Sequence, residues 1–416
     1  MCLFFFVVYL FFFVVLLFFF SPFLFFVFFS FFVLLGFFDC SWCGCFFFFD
    51  SFNFVFLSFM SVFILGFVCV SEVLGGLVFY SCLIVFFSIC FFYSGSFLSL
   101  YIFYELTMLP VLFCLLGYGR QVEKISACYY LVFYTLFFGM PFLFFFSHVF
   151  NFFNFVYYDF FISYELVFLL SLCFLVKFPV YFLHVWLPKV HVEAPTSASM
   201  VLAGVMLKLG GAGFYRVSKS LNFFGLELLI FFSLVGMVFC SFICMFQSDC
   251  KSLAAYSSIC HMGFVLLSEV SMLYYGKSMA LVMMLSHGYT SVLMFYFIGE
   301  FYHIASSRLI YYLRGYFNVS MLFCLFFCLT MVSNFGFPSS ISFFSEYMML
   351  NWFSSVFYFG VFFLFVYYLV SFYYSVYVMV CFMIGNKVSY VCDSRVVFCL
   401  PLLFMVYNFF WFIFVI

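Results

Sequence analysis

The first cationic side chain in this sequence is Arg120, and charge stays sparse beyond it. Asp, Glu, Lys and Arg make up 6% of 416 residues, against 70% hydrophobic. A soluble domain carries about a quarter charged residues. Too little polar surface remains to face water, so lipid is the solvent for most of the chain. A helix needs about 20 apolar residues to cross roughly 30 Å of hydrocarbon. In lipid, backbone polar groups must be satisfied inside helices or a closed barrel. Barrel strands are short and alternate apolar with polar residues, whereas the runs here are long and apolar on every face. The expected fold class is all-α integral membrane, a single polytopic domain over 1–416.

A formal net charge of −1, with no polybasic stretch, excludes a nucleic-acid partner and an acidic substrate. The 19 cysteines are scattered, mostly inside apolar runs as Cys240 and Cys244 are. That is the pattern of small buried hydrophobes rather than of a disulfide framework. Cys40, Cys43 and Cys45 form a C-x2-C-x-C cluster without an evident fourth ligand, so no metal site is expected there. The excess of Phe, Val and Cys suggests a thymine-rich, organellar gene. With no Lys or Arg before Arg120 there is neither a basic secretory leader nor an Arg-rich transit peptide. Synthesis inside the organelle is the expectation.

Glycines, polar residues and charges divide the chain into about fourteen spans: 3–20, 22–38, 53–71, 74–93, 97–117, 126–148, 161–187, 193–216, 223–246, 251–272, 277–302, 316–352, 355–383 and 396–416. Two are interrupted. In 161–187, Lys177 and Pro179 break the helix and Pro188 is expected to end it. In 316–352, the run Asn334-Phe335-Gly336-Phe337-Pro338 does the same. Proline removes a helical hydrogen bond and clashes with the preceding turn. Such breaks survive in a membrane only where protein or a cavity surrounds them, and paired broken helices point to a transport site built from repeats. If spans four to eight and nine to thirteen are two copies, the broken seventh and twelfth correspond. Loops numbered odd hold Arg120, Lys124, Lys189, Lys251, Arg308, Arg314, Lys387 and Arg395; even loops hold Arg216, Lys219 and Lys277. The positive-inside rule puts the odd loops on the negatively charged side and both termini on the other.

A charge within a membrane helix costs about 2.5–3.5 kcal/mol on insertion scales, so each one asks for a reason. Glu105 lies well inside its span. Lys177 stands at the first break. Lys208 follows Ala203 and Gly204 and precedes Gly210, Gly211 and Gly213, small residues that suit close helix packing. Glu346 follows the second break, and His261 and His287 lie within spans ten and eleven. For each, packing alone is the competing explanation, and snorkelling for Lys177. Together, with serines and tyrosines between them, they have the composition of a proton relay. No Walker loop, dinucleotide fingerprint, paired CxxC or haem motif accompanies them. Glu105 and Lys177 are expected to interact inside the bundle, directly or through water, as a gate.

The stretch VKFPVYFLHVWLPKVHVEAPTSASMVLAGVMLKLGGAGFYR, Val176 to Arg216, closely resembles the antiporter-like membrane-arm subunits of mitochondrial NADH:ubiquinone oxidoreductase, respiratory complex I. Further matches are FYELTMLPVLFCLLGYGRQVEKISACYYLVFYTLFFGMPFL from Phe103, QSDCKSLAAYSSICHMGFV from Gln247 and LSHGYTSVLMFYFIGE from Leu285. The likeness covers roughly 97–350, with 1–95 and 355–416 matching in hydropathy only. The subunit 4 branch fits best, because subunit 5 relatives usually carry His where Lys208 stands and lack HVEAP. Ala198 stands where many relatives have Gly, a mild departure.

This resemblance implies about fourteen helices, two inverted five-helix repeats with broken helices 7 and 12, and a central hydrophilic axis. It implies a relay of Glu105, Lys177, Lys208, His261, His287 and Glu346. It further implies N-terminal helices in 1–95, a proton-translocation core over 97–350 and C-terminal helices in 355–416. The expected role is a proton-translocating subunit of an H+-pumping NADH:ubiquinone reductase, with no catalytic or redox centre of its own. NADH, FMN, iron–sulfur clusters and ubiquinone are then expected in other subunits. The expected partners are the other membrane-arm subunits, the neighbouring antiporter-like ones above all, and the bilayer of the mitochondrial inner membrane. The alternative is a subunit of a Mrp-type cation/proton antiporter built on the same helices.

Overall fold

A computed structural model describes residues 52–148, 164–217, 226–271, 274–318, 320–385 and 399–410. The first two expected spans and the Cys40/Cys43/Cys45 cluster lie outside the described residues. Every named element among the described residues is helical. In chain order these are α1 Phe52–Ser71, α2 Gly75–Phe92, α3 Phe97–Leu106, α4 Met108–Tyr118, α5 Lys124–His148, α6 Tyr164–Lys177, α7 Trp186–Glu193, α8 Thr196–Val201, α9 Leu207–Val217, α10 Leu226–Met245, α11 Cys250–Val270, α12 Tyr274–Ala305, α13 Met321–Phe335, α14 Ile341–Val356, α15 Tyr358–Met383 and α16 Cys399–Phe410. Among the described residues eight stretches are long and apolar enough to cross a membrane, and Phe56–Ser71 within α1 and Met321–Phe335 are further apolar helical stretches. Each expected span from 53–71 onward has its helix or broken pair.

Hydroxyls in these helices are satisfied locally, which lets serines sit buried in the bundle without a polar partner on a neighbouring helix. Ser61, Ser81, Ser88, Ser257 and Ser258 each donate to the carbonyl three residues back at 2.6–2.9 Å. The core lies between α8–α9, α11 and α12. The span Thr196–Arg216 is wholly buried, whereas Lys124–Phe144 and Tyr358–Met383 are 28% and 39% buried. The last two present their aromatic faces outward, as Phe133, Phe137, Phe362 and Phe365 do.

Three local features differ from expectation. The span expected as one helix over 97–117 is hinged at Thr107, between α3 and α4. Pro110 lacks the N–H that would continue the ladder there. Pro188 does not end a helix. It occupies the first turn of α7, where a missing N–H has no helical carbonyl to reach. Between α8 and α9, residues Leu202–Met206 form a π turn, with the Leu207 N–H reaching back five residues to the Leu202 carbonyl.

Both expected breaks are present. After Lys177 the chain runs without helix to Trp186, passing Phe182 at φ 78°. A carbonyl released at this break, that of Val176, accepts the Trp186 indole N–H at 3.0 Å. The second break turns at Gly336, whose φ of 82° closes α13 in the left-handed conformation.

Candidate functional site

Lys208, on α9, is fully buried. Its Nζ donates to the Ala203 carbonyl at 2.6 Å and stands 3.0 Å from His287 Nδ1 on α12. The α8–α9 seam approaches this closely because it is lined with small residues. Gly210, for example, lies so near the first break that a Cβ would come within 2.6 Å of the Phe178 amide nitrogen. The His287 ring lies 5.4 Å from that of His261 on α11. His261 interacts in turn with Asn334 at the second break, while neither of its ring nitrogens makes a hydrogen bond of ordinary geometry among the described residues. Three of the six expected residues thus form one cluster. A lysine and an imidazole at 3.0 Å can pass a proton without rearrangement, because neutral Nδ1 accepts what an ammonium donates.

Lys177 and Glu105 form a second cluster. Lys177, 2% exposed, donates to the Tyr104 carbonyl, and its Nζ lies 3.2 Å from the centroid of the Tyr104 ring. Tyr104 is itself fixed by donating from its hydroxyl to the Cys173 carbonyl at 2.8 Å. Glu105 exerts its field on Lys177, yet Glu105 Oε1 is buried with no hydrogen-bond partner among the described residues. The carboxylate faces α5 instead, where a Cβ on Gly139 would sit 3.3 Å from Oε1. The expected interaction is therefore electrostatic, with the ammonium turned to the neighbouring tyrosine rather than to the carboxylate.

Glu346 stands apart, 4% exposed, on α14. Its carboxylate packs on Gly336, where a Cβ would come within 2.5 Å of Oε2. Tyr367, Tyr368 and Tyr374 of α15 all feel its charge.

Several polar residues at this centre were not singled out by the sequence. His191, fully buried and stacked on Phe295 with centroids 4.7 Å apart, lies within the fields of both Lys208 and Lys251. Lys251 donates to the Ala194 carbonyl at 2.8 Å, and Arg308 to that of Val192 at 2.7 Å. With Arg120, Glu193, Glu300 and others they line a cavity of about 350 Å³ at one end of the bundle. Arg120, Lys251 and Arg308 come from different odd loops, so their convergence at one end is what alternating crossings require. The signal available in the sequence was the second histidine of HVWLPKVHVEAP, seven residues after the first.

Comparison with known proteins matches residues 94–371 to the family described as NADH:quinone oxidoreductase/Mrp antiporter, TM. The chain is 48% identical over 371 residues to NADH-ubiquinone oxidoreductase chain 4 of Ascaris suum, covering 89% of this chain and 91% of that one. It is 46% identical over 325 residues to the chain of the same name from Caenorhabditis elegans, covering 78% and 79%. Among solved structures, respiratory complex I from Thermus thermophilus with bound NADH contains a chain of the same fold. That chain gives a TM-score of 0.74 at 20% identity, over 86% of this chain and 78% of that one. The match over most of the core and the identity over nine-tenths of a relative lead to one conclusion: this chain belongs to the NADH-ubiquinone oxidoreductase chain 4 family of antiporter-type membrane subunits.

Proposed function

We propose that this chain translocates protons as an antiporter-like subunit of respiratory complex I, with Lys208 and His287 as its central exchange pair. It is a multi-pass protein of the mitochondrial inner membrane, assembled with other membrane-arm subunits. Electron transfer from NADH to ubiquinone takes place elsewhere in the complex, on groups held by other subunits. The observation that carries the relay is the 3.0 Å separation of Lys208 Nζ from His287 Nδ1, both side chains buried.

Protons enter the relay from the cavity lined by Glu193 and Lys251. His191, between Lys251 and Lys208, carries them inward. Lys208 gives its proton to His287 Nδ1, which passes it to His261 and, past Asn334, toward Glu346. Glu105 and Lys177 act as a gate beside this path: the field of the carboxylate holds the ammonium, and weakening that field favours release toward Lys208. Moving a proton outward costs about 2.3 kcal/mol per 100 mV. One pKa unit is about 1.36 kcal/mol, so a swing of about two units in such a pair has the needed scale. The named relatives are complex I chains, which favours this reading over a Mrp-type antiporter.

Lys208→Met tests it, since the variant lacks the titratable group. In the assembled complex it should slow pumping by about tenfold or more, the scale on which positioned proton-transfer groups act. Lys208→Arg should also impair pumping, because arginine does not deprotonate in proteins. Wild-type pumping by an assembled Met variant would leave Lys208 a packing residue.

A further inference from the structure

Glu269 has no part in the relay above. It stands one residue before the end of α11, 1% exposed, and among the described residues neither carboxyl oxygen has a hydrogen-bond partner. An ionised carboxyl left so is among the costliest groups a membrane helix can bury. Its place is fixed from two sides. A Cβ on Gly211 of α9 would lie 3.4 Å from Glu269 Oε1 and 2.7 Å from Met284 Sδ of α12. Gly211 follows Lys208 by three residues, and Met284 precedes His287 by three. The carboxyl therefore faces the seam about one helical turn, roughly 5 Å, from the level of the exchange pair. The Arg216 end of α9 and the Lys277 end of α12 lie together, and the cavity gathers the opposite ends. Both offsets thus lead away from the cavity.

Beyond Glu269 in that direction lies Lys277, half-buried near the start of α12. It is the cation whose field reaches the carboxyl, and its Nζ is 5.7 Å from the centroid of the Tyr215 ring on α9. The hydroxyls that flank Glu269 in the chain are committed elsewhere: Ser268 donates to the Val265 carbonyl and Ser271, just past the end of α11, to that of Ser268, both at 2.7 Å.

We propose that Glu269 is a proton-exchanging carboxyl linking the Lys208–His287 pair to the bundle end opposite the cavity, with Lys277 as its counter-charge. The proposal rests on the relay reading above. A proton released by Lys208 or His287 crosses one turn of the seam through water and is taken up by the carboxylate, giving a neutral acid. Approach of the Lys277 ammonium favours ionisation, and the proton passes to water at that end. No other bond forms or breaks. Gly211 contributes by letting α11 and α12 approach α9 closely beside the carboxyl.

A static Glu269–Lys277 brace between α11 and α12 is the competing role, and variants of the assembled complex separate the two. Proton pumping, NADH oxidation and the thermal midpoint are measured together. Glu269→Gln should slow pumping by about tenfold with the midpoint retained, and Glu269→Asp should restore most of the rate. Wild-type pumping by Glu269→Gln overturns the proposal, as does a lowered midpoint with unchanged pumping, the signature of a brace. If Glu269→Gln does not assemble, Lys277→Met reads the same step: slowed pumping supports it and an unchanged rate overturns it. Lys208→Met in the same assay tells two failures apart. If it is slow while Glu269→Gln is normal, only the role of Glu269 falls; if both are normal, the relay reading falls with it.

Discussion

The two broken helices use the same device with opposite charges. At the first break the ionisable group, Lys177, ends the helix before the gap. At the second, Glu346 lies in the helix after it. Lys177 is held by uncharged partners, the Tyr104 carbonyl and ring. Glu346 is held against bare backbone at Gly336. Both gaps contain a residue with φ near 80°: Phe182 in the first and Gly336 in the second. A left-handed conformation costs a non-glycine residue about 1–2 kcal/mol and glycine almost nothing. The first break thus tolerates strain on its exposed side, whereas at the second a Cβ would have to displace the buried Glu346 carboxylate. The first half also borrows its close approach from a neighbour, since Gly210 of α9 packs on the Lys177–Phe178 backbone.

Gly336→Ala should have the largest effect. It combines a disfavoured φ with a Cβ placed 2.5 Å from the Glu346 carboxylate, a loss of about 3 kcal/mol. The yield and thermal midpoint of the assembled complex would both fall. Gly210→Ala comes next, at about 1–3 kcal/mol, because the atom it meets belongs to backbone. If Gly210→Ala proves the costlier of the two, the contrast between the breaks is wrong. Lys177→Met and Glu346→Gln neutralise the two sites. Each should slow pumping by about tenfold in a complex that still assembles, and an effect from only one would show that the halves do different work. Tyr104→Leu removes both the ring over Lys177 and the hydroxyl bond to Cys173 and should cost about 2–3 kcal/mol. Tyr104→Phe keeps the ring and loses only the bond to Cys173, about 1 kcal/mol. Phe182→Gly should change stability by less than about 1 kcal/mol, because relief of the backbone is offset by lost ring contacts with Tyr181 and Phe232.

The six relay candidates were legible because lipid makes charge expensive, so each one stands out from an apolar run. The breaks were legible because Pro179, Gly336 and Pro338 are poor helix residues. Pairing was not legible. A lysine stem reaches several partners, and nothing in the one-dimensional pattern says that Lys177 turns to Tyr104 or that Lys208 turns to His287. Glu269 escaped notice for a related reason: beside a helix end it reads as an interfacial residue, and only the packing of α9 and α12 shows it to be covered. The hinge at Thr107 was readable from Pro110. The π turn at Leu202–Met206 contains Gly204, but a glycine among small residues reads equally as close helix packing.

That turn has a genetic consequence. A π turn is a helix carrying one surplus residue, and every residue added or removed rotates the rest of the helix by about 100° and shifts it by about 1.5 Å. Gly204 meets Ile64 and Val292 inside the turn, while Gly210 meets Phe178 beyond it. Loss of a single codon anywhere in 202–206 would remove that surplus and leave ordinary α-helix, so the stretches on either side would stay in register with each other. Lys208 would still face His287, and Gly210 would still meet Phe178. In this segment a three-base deletion is a milder lesion than the same deletion in the regular helix of α11 or α12, where no surplus residue absorbs the rotation.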